Sequence, residues 1–223
     1  MSTKTGLGYT GEDALEEYIV DHLEPESPLL YELYRDTHIR LLNPRMASGH
    51  LQGRLLKMLI GMIRPRTLLE VGTFTGYATL CMAEGMPEDG IVHTIEIDDE
   101  LEDFILEHLR KSPYAGRIKL HIGDALKIVP TLGLKFDAVF LDADKRQYPA
   151  YYEQLFDYVS DGGYILADNT LWDGHVIDPA YDRDQQTLGV RRFNDMVKAD
   201  PRVEEAIIPV RDGITIIRKK KVL

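Results

Sequence analysis

The sequence predicts an α/β fold built on an open, mostly parallel sheet, and three observations carry that expectation. After Pro65, short apolar runs of strand length alternate with amphipathic stretches of helix length. That alternation places helices over both faces of a parallel sheet. Before Pro65 the periodicity is helical only, and near the C-terminus two strand-like runs are joined by Arg211-Asp212-Gly213. A short turn of this kind makes a hairpin, so the sheet gains an antiparallel edge.

Residues 11–64 read as helical. Leu15, Tyr18, Ile19 and Leu23 recur at helical spacing, as do Leu30, Leu33, Tyr34 and Leu41. A third helix runs from about Ser48 to Ile63, capped by Ser48 or Gly49 and stopped by Pro65. The strands are then Thr67–Val71, Ile91–Ile97, Ile118–Ile122, Ala138–Leu141 and Tyr164–Ala167, with helices beginning near Gly76, Glu100, Ala125 and Pro149 between them. A helix near Leu188–Lys198 precedes the last two strands, Val203–Val210 and Ile214–Arg218, which makes seven strands. No Gly-, Ser- or Pro-rich linker interrupts the series, so residues 1–223 are expected to form one domain, with residues 1–64 as a helical extension.

Composition excludes several classes. The 223 residues are 44% hydrophobic and 28% charged, ordinary for a globular chain, and the formal charge of −11 argues against a broad nucleic-acid or membrane footprint. The one basic run, Arg218 to Lys221, reads as a solvated tail. A lone cysteine, Cys81, has no intrachain partner, which fits a reducing compartment. The opening MSTKTGLGYTGEDALEEY lacks the apolar core of a signal peptide, and LLKMLIGMI at 55–63 is too short to span a bilayer. A cytoplasmic protein is expected. The seven histidines show no HExxH pairing, so a zinc site of that kind is not expected.

The candidate functional residues lie where the predicted strands end. The first strand runs into LLEVGTFTGYATL, in which Glu70, Gly72 and Gly76 form E-x-G-x-x-x-G at a strand-to-helix turn. Glycine lets backbone approach a ligand closely, and the helix beyond offers free N–H groups. Phe74 stands where a dinucleotide fingerprint has its second glycine, leaving less room for a pyrophosphate. One strand later Glu96 is placed to accept ribose hydroxyls, and Asp124 lies at the same edge within reach of an adenine amino group. The ligand suggested is a nucleoside without a pyrophosphate, such as S-adenosylmethionine (SAM).

Two further strands end in oxygen-bearing side chains, FDAVFLDADKRQY at Asp142 and YILADNTLW at Asp168 and Asn169. Two carboxylates and an amide without nearby Cys or His suit a hard octahedral ion such as Mg²⁺. A helix cap or Asx turn accounts equally well for Asp168-Asn169.

FLDADKRQY, ADNTLWDG and IPVRDGITIIRKK together resemble the caffeoyl-coenzyme A O-methyltransferase family, within the cation-dependent group that includes catechol O-methyltransferases. The resemblance covers nearly the whole chain. It implies a Rossmann-like class I SAM-dependent methyltransferase fold, a homodimer, and transfer of a methyl group to a catechol-like small molecule. By resemblance Asp142, Asp168 and Asn169 are the metal ligands, for Mg²⁺ or alternatively Ca²⁺ or Mn²⁺, and Lys145 is the candidate base. Glu96 is implied to hold the ribose. Glu70, Gly72, Gly76 and Tyr77 are implied to line the methionine side, with Phe74 and Asp142 bordering the same site. Met46 and Ser48 match a segment that closes over SAM, and Asp124 and Ala125 fall at the adenine position. A lysine near Asp142 and Asp144 should keep its proton, so its service as a base depends on a bound dication opposing those charges.

Three other readings stay open at this stage. Some relatives methylate a hydroxylated uridine in tRNA, for which Arg40, Arg45, Arg54, Arg64 and Arg66 are the candidate basic patch. A SAM-binding module without catalysis has no use for the acidic corner. A nicotinamide dehydrogenase is disfavoured by Phe74. Trp172 to Tyr181 and the N-terminal helices are expected to shape the acceptor pocket, with Trp172 stacking on a planar acceptor or packing in the fold.

Overall fold

The computed structural model describes residues 14–221. The N-terminal helices are α1 (Ala14–Asp21), α2 (Pro28–Arg40) and α3 (Gly49–Ile63); the part of the helical reading at residues 11–13 lies outside the described residues. Ser27 caps α2 by accepting the Leu30 N–H. Helix α3 closes at Arg64, which takes the left-handed conformation ahead of Pro65. Strands and helices then alternate: β1 (Thr67–Val71), α4 (Tyr77–Gly85), β2 (Ile91–Glu96), α5 (Glu102–Arg110), β3 (Ile118–Ile122), α6 (Ala125–Leu132), β4 (Phe136–Leu141), α7 (Tyr148–Leu155) and β5 (Val159–Ala167). Helix α8 (Gln185–Ala199) leads to β6 (Val203–Ile208) and β7 (Ile214–Lys219).

The seven strands form one sheet in the order β3-β2-β1-β4-β5-β7-β6. Strands β1 to β5 are parallel, and β7 pairs antiparallel with both β5 and β6. Two boundaries differ most from the sequence reading. Strand β5 begins at Val159 rather than Tyr164, because the chain passes through Asp161-Gly162-Gly163 with Gly162 at φ 81° and resumes pairing across an irregular register opposite Phe136. Helix α8 begins at Gln185, ahead of Leu188, because Asp184 caps it and accepts the Thr187 N–H at 2.8 Å.

Both faces of the sheet are buried, and neighbouring strand residues serve opposite cores. Leu68, Ala138 and Phe140 pack beneath α2–α5, whereas Leu69, Val139 and Leu141 pack against α6–α8. The strand order reverses between β1 and β4, where a crevice opens at the carboxyl ends of strands.

Helix α8 also supports the turn that follows β4. A Cβ at Gly189 would lie 2.2 Å from the Lys145 carbonyl oxygen and 2.8 Å from Arg146 Cα, so only glycine allows this approach. Gly189→Ala is therefore expected to cost roughly 1–3 kcal/mol by overpacking. A lowered urea midpoint at unchanged slope checks this, and a wild-type midpoint would show that the contact yields freely.

Candidate active site

Backbone amides just past the strands continue the parallel ladder. Gly72 N–H donates to Ile95 O at 3.0 Å, Asp142 N–H to Val71 O at 2.9 Å, Asp168 N–H to Leu141 O at 2.9 Å, and Gly123 N–H to Glu96 O at 2.7 Å. Glu96, Gly72, Asp142 and Asp168 consequently stand in a row along one sheet edge.

At the glycine turn, the conformation follows from packing of the chain against itself. A Cβ on Gly72, which sits at φ 98°, would lie 2.0 Å from the Asp142 carbonyl oxygen, so the close approach seen here is to β4. Phe74 adopts φ 50°, uncommon for a bulky side chain, and its N–H donates to Glu96 Oε2 at 2.7 Å. Glu96 Oε1 accepts the N–H groups of Ile97 and Asp98 at 2.9 and 3.0 Å, leaving Oε2 the freer oxygen. Gly76, at φ 85°, opens α4. Glu70 is fully buried, and Thr79 donates to its Oε2, but its Oε1 has no hydrogen-bond partner. Burial, reinforced by Asp142 and Glu96, pushes its carboxyl up to about 8. An orphaned buried acceptor of this kind fits a missing cationic donor.

Asp124 caps α6 by accepting the Leu126 N–H at 3.0 Å, with Ala125 buried behind it. Tyr77 is buried, but its hydroxyl donates to Glu26 ahead of α2, so this residue braces the N-terminal helices. Met46, on a 3₁₀ turn over Pro44–Met46, is 60% exposed, whereas Ser48 is buried.

The acidic corner is assembled across β4, β5 and the turn before β7. Lys145, on a 3₁₀ turn after β4, is 6% exposed and donates to Asp142 Oδ1 and to the Tyr148 hydroxyl, both at 2.8 Å. Burial opposes its charge, yet Asp142, Tyr148 and Asp168 outweigh that and hold the ammonium above the usual lysine range. Asp168 is 4% exposed, and burial together with Asp142 pushes it up to about 7. Asn169, at φ 55°, donates through Nδ2 to Asp212 Oδ2 at 3.2 Å, which leaves its Oδ1 free. Asp142, Asp168 and Asn169 thus offer oxygen donors only, with burial and Asp142 pushing up the Asp168 carboxyl, and this fits a hard divalent cation. Asp144 is directed elsewhere, into a pair with Arg146 at 2.7 Å.

Four contributors escaped the sequence reading. Gln52 of α3 donates to Asp168 Oδ2 across 116 residues of chain, and no local signal announces it. Asp212 and Arg211 lie in the hairpin turn, where they read as turn residues. Tyr148 was legible in principle, three residues beyond Lys145 on a helical turn. Its hydroxyl lies 3.1 Å from Leu141 O and 2.9 Å from Asp168 O, tying the two strand ends together.

His175 stacks on Tyr181 with ring centroids 3.5 Å apart, and Arg191 grips that loop through the carbonyls of His175, Val176 and Asp178. Among the arginines considered for RNA, Arg54 is buried against Glu24 and Glu84, Arg40 pairs with Glu107, and Arg66 lies 3.6 Å from Asp89. A second acidic group, Glu32, Asp36 and His108, joins α2 to α5 but is already answered by Lys111 at 2.7 Å from Glu32 and Arg40 at 3.9 Å from Asp36. No helix among the described residues is long and apolar enough to cross a membrane.

The reversal of strand order, with acids and one buried lysine at the strand ends, is where open α/β folds bind their ligands. Residues 20–220 match the family model described as O-methyltransferase, and the chain belongs to that family. It is 35% identical to a caffeoyl-CoA O-methyltransferase of Mesembryanthemum crystallinum over 93% of this chain and 86% of that one. It is equally similar, at 35% identity over 93% of this chain and 88% of the other, to tricin synthase 1 of Oryza sativa subsp. japonica. An O-methyltransferase from Bacillus cereus in complex with SAH superposes with a TM-score of 0.85 at 28% identity, covering 93% of this chain and 97% of that one.

The raised Glu70 carboxyl has a consequence for the ligand-free protein. Between about pH 4.5, its ordinary value, and about 8 the unfolded chain loses this proton while the folded chain keeps it. Stability that is full below that window is lost as pH rises through it. Glu70→Gln is expected to flatten the pH dependence of the urea midpoint there, by up to about 1.4 kcal/mol per pH unit. Parallel curves for variant and wild type would mean that Glu70 is ionised in the folded protein.

Proposed function

We propose that this chain moves the methyl group of SAM to a hydroxyl of a small catechol-like compound, with a divalent cation, Mg²⁺ first, held at the acidic corner. The observation that supports the reading is that Asp142 and Asp168 follow the carboxyl ends of adjacent strands, Asn169 comes next in the chain, and buried Lys145 donates to Asp142. Its relatives named for caffeoyl-CoA and the SAH in the Bacillus cereus structure support the donor and the acceptor class.

In this reading the unpartnered Oε1 of Glu70 accepts from the ammonium of the methionine moiety. Glu96 receives a ribose hydroxyl at Oε2, and Asp124 with Ala125 borders the adenine. The Gly72-Phe74-Gly76 turn gives the backbone approach, and Met46 and Ser48 cover the cofactor. Tyr77 acts from behind, by holding Glu26.

Asp142 and Asp168 through carboxylate oxygens, and Asn169 through Oδ1, would hold the cation. When bound, it supplies Lewis acidity that favours the phenolate of one of two adjacent hydroxyls, whose ordinary pKa is near 10. The acceptor oxygen then takes the methyl carbon as the sulfur–carbon bond breaks, leaving SAH and a methyl ether. Lys145 is the chain's candidate for the displaced hydroxyl proton, which it can take only as the neutral amine, after its own proton has passed to solvent. Its ammonium owes its stability to Asp142 and Asp168, so sharing those carboxylates with a dication loosens its proton. Tyr148 keeps the amine aimed at the corner throughout.

The test is transfer of labelled methyl from SAM to caffeic acid, caffeoyl-CoA, a simple catechol and undermodified tRNA, each with Mg²⁺ and with a chelator. Transfer to a diphenol that stops with chelator is expected, and Lys145→Met should lower kcat by about 10²–10⁴-fold with SAH binding retained. Diphenol methylation unaffected by chelator would remove the cation from the reading. Label in tRNA alone would replace the acceptor.

A further inference from the structure

The beginning of α3 is bound to the acidic corner at two points that together close a ring. From α3, the buried amide of Gln52 donates to Asp168 Oδ2. Asn169, next in the chain, donates its N–H to Asp168 Oδ1 at 2.8 Å and its side-chain amide to Asp212 Oδ2 at 3.2 Å. Arg211, beside Asp212, returns to the start of α3, where its Nη1 donates to the carbonyl of Ser48. The turn is stiff at this point: Asp212 O accepts the Leu171 N–H at 2.7 Å, and a Cβ on Gly213 would lie 2.5 Å from Leu171 Cγ. Three links, Gln52 to Asp168, Asn169 to Asp212 and Arg211 to Ser48, join groups far apart in sequence, so the ring exists only when α3, the end of β5 and the β6–β7 turn are all in place.

Asp168 has two demands on one carboxylate. Its oxygens serve the acidic corner, while the same group is the anchor for Gln52 and hence for the first turns of α3. Met46 and Ser48 lead directly into that helix. Fixing the carboxylate from one side fixes the acceptor for the other.

We propose that Gln52 and Arg211 are positioning residues that couple the two halves of the site, so that a divalent cation at Asp168–Asn169 and a nucleoside cofactor beneath the Met46–Ser48 segment each tighten the binding of the other. This deepens the function proposed above and rests on it. The sign of the coupling is informative: a cation and a cationic sulfonium donor repel one another, so direct electrostatics acts against cooperation. Coupling through the ring is reciprocal and favourable, with ordinary couplings spanning about 5–150-fold.

The experiment titrates Mn²⁺ by calorimetry and electron spin resonance, and SAH, which is uncharged at the sulfur, with and without Mn²⁺. Wild-type protein should bind SAH at least about 5-fold more tightly with Mn²⁺. Gln52→Met, which keeps the bulk and removes the donor, should weaken Mn²⁺ binding by about 10–100-fold and abolish the SAH coupling. Arg211→Met, in a partly exposed turn, should keep Mn²⁺ affinity within about 2-fold while the coupling falls, and it carries the test should the Gln52 variant fail to fold. Melting temperatures in chelator separate these effects from general destabilisation. Wild-type Mn²⁺ affinity and coupling in folded Gln52→Met overturn the proposal. Tight Mn²⁺ binding by wild type with SAH indifferent to it overturns the coupling alone, whereas no Mn²⁺ binding by wild type overturns the cation reading on which it rests.

Discussion

The close approach of β1 to β4 at their carboxyl ends is the constraint on which the remainder of the site depends. Gly72 lies against the Asp142 carbonyl where no Cβ fits, and the Asp142 N–H completes the ladder on Val71. This contact sets where β4 stops and so where the acidic side chains emerge. The same register carries over to β5 through Asp168 and Leu141. Parallel pairing makes all these strands finish at one edge, and the reversal of strand order beside β1 opens the crevice there.

Charge at this edge is arranged at some expense to stability. Glu70 and Asp168 are buried acids whose protons are held more tightly than usual, and Lys145 is a buried ammonium kept by its neighbours. Desolvation is costly for such groups unless opposite charge or hydrogen bonds answer it. Lys145 answers Asp142 directly, and Tyr148 keeps the ammonium in place while bonding to the carbonyls at both strand ends. Glu70 Oε1 has no such answer within the chain. In the proposed function a cationic group of the cofactor would satisfy that buried acceptor.

The N-terminal helices are more than a covering layer. Tyr77 reaches Glu26, Gln52 reaches Asp168, and Ser48 receives Arg211, so α2 and α3 are attached to both the glycine turn and the acidic corner. The loop after β5 is organised separately, with Arg191 of α8 gripping three of its carbonyls. In the proposed function, acceptor selectivity would rest on these two segments, which different helices hold in place.

The sequence by itself determined the alternation of strands and helices, the antiparallel hairpin at the edge, and the polar residues at or near the strand ends, including Glu70, Glu96, Asp142, Asp168 and Asn169. These were legible because apolar period, glycine placement and strand-terminal polarity are local properties. The start of β5 was not, since Gly162-Gly163 reads as a turn and only pairing with β4 carries the strand through it. Nor were the bonds of Gln52, Arg211 and Asp212, or that of Tyr77 to Glu26. Those assignments belong to the tertiary structure because each joins groups dozens of residues apart, and a hydrogen bond of that span leaves no periodic trace along the chain.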